Sequence, residues 1–190
     1  PEAPYPLGLE DCHSAARHIW ATLDAEERRY SRRLALAGDS GGGTFAATIS
    51  ALAQNEALLP VEKQVLIYPS LDYTLTRPSI RENGQGYLLE AERIEWYFRH
   101  YFQHSEDRRA ASPLFMPVSN RLPETLVISA GYCPLRDEAL AYVERLNETG
   151  APCRHRHFEG MIHAYLNLEA LVPDACAETY QEIADFLNDG

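Results

Sequence analysis

Gly38-Asp39-Ser40-Gly41-Gly42 fits the pattern G-x-S-x-G, with a serine at its centre. A serine hydroxyl attacks an acyl carbonyl only when a base takes its proton and nearby donors receive the charge that grows on the carbonyl oxygen. The flanking sequence suits that chemistry. The apolar segment Arg33 to Ala37 (RLALA) precedes the motif, and Thr44 to Gln54, rich in Ala and Leu, follows it. A strand that turns this sharply into a helix holds its central residue in a strained conformation, the geometry of a nucleophile elbow. Residues two positions to either side, Gly38 and Gly42, are expected to be small to avoid a clash. Ser40 then projects above the carboxyl end of a sheet, with the N-terminus of the next helix directed at the same point. The Gly41 N–H is the candidate oxyanion donor. A phosphate-binding loop would need G-K-[ST] or GxGxxG here, and neither fits.

A serine nucleophile needs a base, and His163 is the candidate among seven histidines. It lies in Gly160-Met161-Ile162-His163-Ala164, a loop directly after the last apolar strand, and it follows the serine in chain order. His155 and His157 alternate within a strand and share one face, which reads as satisfied polar residues. His100 and His104 sit four apart on a helix, a metal-compatible spacing without a third ligand nearby, so they read as surface. His13 and His18 fall on a mostly exposed helix. No metal and no organic cofactor is implied.

The elements that must hold these residues alternate between short apolar runs and longer amphipathic stretches, which reads as α/β with a parallel sheet. Strands are expected at Arg33–Ala37, Gln64–Tyr68, Leu126–Ala130 and Cys153–Phe158. The first two read as continuous apolar runs, hence as buried on both faces. Helices are expected at about 9–22, Thr44–Gln54, about 89–103, Asp137–Thr149 and about 174–188, with Leu71 to Gly86 rich in loop. Asp137 reads as an N-cap and Gly150 as a C-terminal stop. The helix at 89–103 is crowded with Trp96, Tyr97, Phe98, Tyr101 and Phe102. Most of these rings read as core, with a role lining an acyl or alcohol pocket as the other reading; Tyr87, Leu88 and Leu89 could border that pocket.

The chain has 190 residues, 17 Lys and Arg against 28 Asp and Glu, and a formal charge of -11. Such a surface repels phosphate backbones and anionic lipid, so nucleic acid is a poor partner. No apolar run approaches the ~20 residues that span a bilayer, and the first residues carry neither the basic nor the apolar region of a signal peptide. Cys12, Cys133, Cys153 and Cys176 show no CxxC spacing and read as reduced thiols of a cytoplasmic protein.

Gly38-Asp39-Ser40-Gly41-Gly42-Gly43 resembles the GDSAGG motif of the hormone-sensitive-lipase-like esterases, α/β-hydrolase-3 enzymes that include bacterial acetyl esterases. Pro1-Glu2-Ala3-Pro4-Tyr5-Pro6 is similar to the family's PE-x-x-FP segment, and Ser112-Pro113-Leu114 to its SPL step. Leu122-Pro123 with Thr125-Leu126-Val127 resembles the LPPTL strand entry, Pro134-Leu135-Arg136-Asp137-Glu138 the DPLRDE motif, and Phe158 to His163 the strand and loop that carry the base. The resemblance implies an α/β-hydrolase catalytic domain over residues 1–190. It implies a carboxylic-ester hydrolase with Ser40 as nucleophile, His163 as base and Gly41 in the oxyanion hole, acting on small-molecule esters, short-chain acyl esters above all. A peptidase on the same fold ranks lower, because esters are easier substrates than amides.

Two positions depart from the family pattern. Its triad acid opens DPLRDE, and that position here is Cys133. A thiol of pKa ~8.5 is mostly neutral at pH 7 and a weak acceptor, and loss of the acid in a comparable triad costs on the order of 10⁴ in kcat. Of the nearby carboxylates, Asp137 reads as a cap and Glu138 as solvent-facing. The family's His-Gly-Gly-Gly segment, a source of further oxyanion donors, has no counterpart in the sequence. The chain therefore reads as the C-terminal portion of the domain, without N-terminal strands and cap. The strand at Arg33–Ala37 would then lack its outer neighbour, and a second polypeptide or a symmetry-related copy is expected along that edge. The rival to an esterase is a catalytically impaired remnant that acts by binding.

Overall fold

A computed structural model describes residues 2–56 and 59–189. The chain runs α1 (Leu7–Ala25), β1 (Leu34–Asp39), α2 (Gly41–Ala53), β2 (Val61–Ile67), α3 (Pro78–Glu82), α4 (Ala91–Tyr101), α5 (Arg108–Ala111), β3 (Glu124–Tyr132), α6 (Arg136–Thr149), β4 (Cys153–Ile162) and α7 (Pro173–Asn188). The four strands form one parallel sheet in the order β1-β2-β3-β4. Parallel neighbours need crossovers, and helices supply them.

Alternation along the strands divides the core between the two faces. Leu66 and Val127 point to the side of Ala46 and Ala47 on α2 and Ala139, Tyr142 and Leu146 on α6. Val65, Leu126, Ile128 and Ala130 point to the other side, toward Phe158, Tyr165 and Phe186. The buried Lys63 crosses to the end of α7, where its Nζ donates to the Phe186 carbonyl at 2.6 Å. A cation there satisfies carbonyls that the helix end leaves without partners.

The expected strands all form, each longer than its apolar run. Three details differ. First, β1 is not buried on both faces: Leu34 and Leu36 are half-buried, while Ala35, Ala37 and Asp39 are exposed. Among the described residues β1 pairs only with β2, so one face and one edge lack cover. Second, the stretch expected to be loop contains α3, and α5 follows α4. Both are only about one turn long, too short to show a helical period in sequence. Third, the first turn of α6 holds Asp137 without a capping bond. Gly150 does end that helix, in the left-handed conformation with φ 70°.

Candidate active site

Ser40 sits between β1 and α2 with φ 52° and ψ −118°, a backbone conformation that costs energy for any residue with a Cβ. The surroundings enforce it. The Ser40 N–H donates to the Ile67 carbonyl at 2.9 Å, and the Ser40 carbonyl accepts from Ser70 N at 3.1 Å and Thr44 N at 3.3 Å. A Cβ at Gly38 would come within 2.2 Å of the Gly42 backbone, so no side chain fits there. The expectation of a second obligatory small residue at Gly42 is corrected: a Cβ there meets nothing nearer than 4.0 Å. The tight position is Gly43, where a Cβ would lie 2.7 Å from Pro69, because the segment after β2 packs across the start of α2. Gly41 opens α2, where the first-turn N–H groups have no acceptor within the helix.

His163 follows β4 directly and is buried. Its Nε2 lies 3.0 Å from Ser40 Oγ, and its Nδ1 lies 3.1 Å from Cys133 Sγ. Residues 123 and 30 positions away are thus brought to the two nitrogens of one ring. The Tyr68 ring packs edge-to-face on the imidazole, with centroids 4.9 Å apart. Burial disfavours the imidazolium and pushes the His163 pKa down to about 4. At neutral pH the ring is uncharged and able to accept a proton.

Cys133 lies just past the end of β3, where the register with β4 shifts between Ala130 and Tyr132. Gly131 fits that irregularity: a Cβ would lie 2.1 Å from the Glu159 carbonyl oxygen. The Cys133 sulfur accepts from Leu135 N at 3.3 Å, and Asn83 Nδ2 donates to the Cys133 carbonyl at 3.2 Å. Burial pushes the thiol pKa far up, so the group is an uncharged S–H.

Neither neighbouring carboxylate takes the place of the acid. Asp137 accepts from Ser79 N at 2.8 Å and from Arg136 Nε at 2.8 Å, tying α6 to α3 rather than capping its own helix. Glu138 is not solvent-facing; it is 1% exposed, and its Oε2 accepts from Asp72 N at 2.9 Å. Burial and the neighbouring Asp72 hold its pKa well above the ordinary carboxylate range. Asp72 is itself buried and paired with Arg77 at 3.2 Å. Sequence reasoning missed this backbone-to-carboxylate contact because it joins residues 66 apart.

A cavity of about 220 Å³ opens beside Ser40 and Gly41, walled by Phe45, Tyr73, Ile94, Tyr97, Phe98 and Tyr101. The aromatic helix therefore serves both readings. Phe98 and Phe102 are buried, Trp96 and Tyr97 are exposed, and Tyr97, Phe98 and Tyr101 face the cavity. Leu89 borders it as well.

The other histidines stay away from this site. His155 and His157 share a face, as expected, and His155 Nε2 and His157 Nδ1 lie 2.8 and 2.7 Å from Ser129 Oγ. His100 Nδ1 lies 2.8 Å from the Trp96 carbonyl, and His13 Nε2 lies 3.0 Å from Glu56. Among the described residues no three His, Cys, Asp or Glu side chains gather as a metal site, all four cysteines are free, and no helix is long and apolar enough to cross a membrane.

A parallel sheet with helices on its faces, a serine at a strained strand-to-helix turn and a histidine from the loop after the last strand define the α/β-hydrolase class. The family model described as alpha/beta hydrolase fold matches residues 1–167, and the chain belongs to that family. It is 32% identical over 179 residues to an ethyl acetate hydrolase of Pseudomonas putida, covering 92% of this chain and 56% of that protein. An arylesterase of Saccharolobus solfataricus is 31% identical over 172 residues, covering 87% of this chain and 55% of the relative. The solved structure of a hyperthermophilic esterase from the archaeon Pyrobaculum calidifontis superposes with a TM-score of 0.85 at 32% identity, over 97% of this chain and 62% of the other. The chain thus spans little more than half the length of the relatives it matches.

Proposed function

We propose that this chain carries the serine–histidine machinery of a carboxylic-ester hydrolase acting on short-chain acyl esters. The observation that carries the reading is the 3.0 Å contact between Ser40 Oγ and His163 Nε2 beside a cavity with mostly apolar walls. Ser40 Oγ attacks the acyl carbon while His163 takes its proton. The oxyanion is met by the Gly41 N–H at the start of α2. On collapse the bond to the alkoxy oxygen breaks, and His163 returns the proton to the leaving alcohol. Water, activated by the same imidazole, then hydrolyses the acyl-enzyme. The cavity receives an apolar part of the ester, and its moderate volume favours small groups. Esterase names among relatives of similar fold support the same reaction class.

Cys133 sets the rate of this machinery. A carboxylate at Nδ1 would only accept, fixing the proton on Nδ1 and leaving Nε2 free to act as base. A neutral thiol both donates and accepts weakly. When S–H donates to Nδ1, the ring proton sits on Nε2, which cannot then deprotonate Ser40. The chain's own chemistry is accordingly a slow version of the triad.

The reading also includes a second polypeptide or a second copy of the chain along the edge of β1 that has no neighbouring strand among the described residues, and the free thiols fit a reducing compartment such as the cytoplasm. Turnover of p-nitrophenyl acetate by the chain and by Ser40→Ala tests the central claim. A fall in ester cleavage of about 10²-fold with Ser40→Ala is the expected result. Cleavage undiminished by the substitution removes the serine mechanism, and a complete lack of turnover in the parent leaves the binding remnant.

A further inference from the structure

Tyr68 carries two unusual features at once. It is the residue directly after β2, it is 2% exposed, and its φ is 34°, in the left-handed region that a residue with a bulky side chain rarely occupies. It also precedes Pro69, and a residue before proline is normally confined to extended backbone. The conformation persists because the neighbours over-determine it. Tyr68 N donates to the Ile128 carbonyl at 2.7 Å, Ser70 N donates to the Ser40 carbonyl at 3.1 Å, and Thr44 Oγ1 donates to the Ser70 carbonyl. Pro69 is wedged against Gly43. The same hydrogen bond that fixes the end of this segment fixes the strained Ser40, so two strained residues brace one another.

The strain delivers an aromatic ring to one place. The Tyr68 ring meets His163 at 4.9 Å with an interplanar angle of 61°, and it also packs edge-to-face on Tyr165 at 5.7 Å and 70°. Tyr165 is in turn held by Phe158 and by a hydroxyl contact with Thr179. The imidazole is therefore restrained on three sides: Ser40 at Nε2, Cys133 at Nδ1 and Tyr68 against the ring. The Nδ1 restraint is the weak one, because sulfur hydrogen bonds are longer and softer than those to a carboxylate.

We propose that Tyr68 is a positioning residue for His163, whose packed ring holds the imidazole in line with Ser40 where the thiol of Cys133 orients it poorly. Tyr68 does not line the cavity beside Ser40, so its effect falls on turnover rather than on substrate affinity. The contact is made by the ring and not by the hydroxyl. Because the role compensates for a soft partner at Nδ1, its importance depends on what stands at position 133. The inference rests on the Ser40–His163 reading above.

The test is a double-substitution cycle with a readout independent of catalysis. Tyr68→Phe and Tyr68→Leu are compared in the parent and in the Cys133→Asp background. Tyr68→Phe keeps kcat within about twofold, whereas Tyr68→Leu lowers it about tenfold in the parent with KM within about twofold, a loss of alignment. In Cys133→Asp the Tyr68→Leu loss shrinks to about threefold or less, which is the coupling the cycle measures. Equal losses in both backgrounds, or a loss confined to KM, overturn the proposal. Tyr68→Met, which keeps more of the side-chain volume, makes the same comparison if the leucine variant does not fold. Long-range ¹H–¹⁵N spectra of His163 supply the second readout. A single sharp pair of ring-nitrogen signals is expected in the parent, with broadening or averaging when the Tyr68 ring is removed. Unchanged signals overturn the proposal even if the protein shows no Ser40-dependent turnover, a result that by itself would remove only the hydrolase reading.

Discussion

The two nitrogens of His163 face regions of very different quality. At Nε2 the chain has built with care: a serine in a strained conformation, a glycine at position 38 where no side chain fits, a proline pressed on Gly43 and backbone bonds that lock the turn. At Nδ1 stands a buried, uncharged thiol whose sulfur is shared with Leu135 N. The difference teaches that geometry and electronics are separable in such a site. The distances at both nitrogens suit hydrogen bonding, yet only a permanent acceptor at Nδ1 would also choose the tautomer and stabilise the imidazolium.

The largest effect should come from repairing the weaker end. Cys133→Asp is expected to raise kcat on p-nitrophenyl acetate by roughly 10³-fold or more, the scale on which a triad loses activity without its acid. An unchanged rate would mean that orientation at Nδ1 does not limit turnover. Damaging the stronger end should have a smaller effect on the rate, because in the proposed mechanism the triad members act as a unit and one is already missing. Ser40→Ala in the parent should lower kcat by only about 10²-fold, against several further decades in the Cys133→Asp background. Equal losses in the two backgrounds would show that Ser40 and position 133 are not coupled.

Acidity sharpens the comparison. In the proposed mechanism neutral His163 is the base, so protonation below its pKa should remove activity. Burial sets that pKa at about 4, and kcat/KM should hold from neutral pH down to about pH 5 before falling. In Cys133→Asp a carboxylate beside Nδ1 favours the charged ring, and the acid limb should move up toward the ordinary value near ~6.5. The same shift governs stability. The unfolded chain binds a proton at His163 below ~6.5 that the native state refuses until about 4, so stability drops as pH falls through that window. A parent profile that breaks near neutral pH would show that the imidazole is solvated.

The smallest effects separate the glycines of the elbow. Gly38→Ala should cost about 3 kcal/mol or more, because the added carbon would lie on backbone that cannot retreat. Gly41→Ala meets nothing within 4 Å and should be neutral or stabilise by about 0.5 kcal/mol, by restricting the unfolded chain. Chemical denaturation midpoints distinguish the two.

Where function depends on local backbone chemistry, the sequence was informative. The strand, glycines, serine and helix of the elbow occupy consecutive positions, and His163 directly follows the last strand. The position of Cys133 after β3 was likewise readable from the flanking Pro134 to Glu138 motif. What stayed hidden depends on distant partners. Glu138 looks like a surface residue in sequence and is buried because Asp72 N needs an acceptor there. Asp137 looks like a cap and instead binds Ser79. The need for glycine at position 43 comes from Pro69, 26 residues away, a separation that also joins Thr44 to Ser70. Tyr68 reads as the last residue of an apolar strand, and only its φ of 34° reveals that the chain turns out of the extended conformation there.

Among the described residues the outer edge of β1 has no neighbouring strand, which has a practical consequence for a polypeptide of these 190 residues taken by itself. Its peptide groups offer a zipper to any extended chain, and the small side chains of Ala35 and Ala37 do nothing to fend one off. Concentrated samples should gain β-sheet signal and turbidity over time. A lysine grafted onto that strand, Ala35→Lys, should delay both while leaving the chemistry at Ser40 untouched.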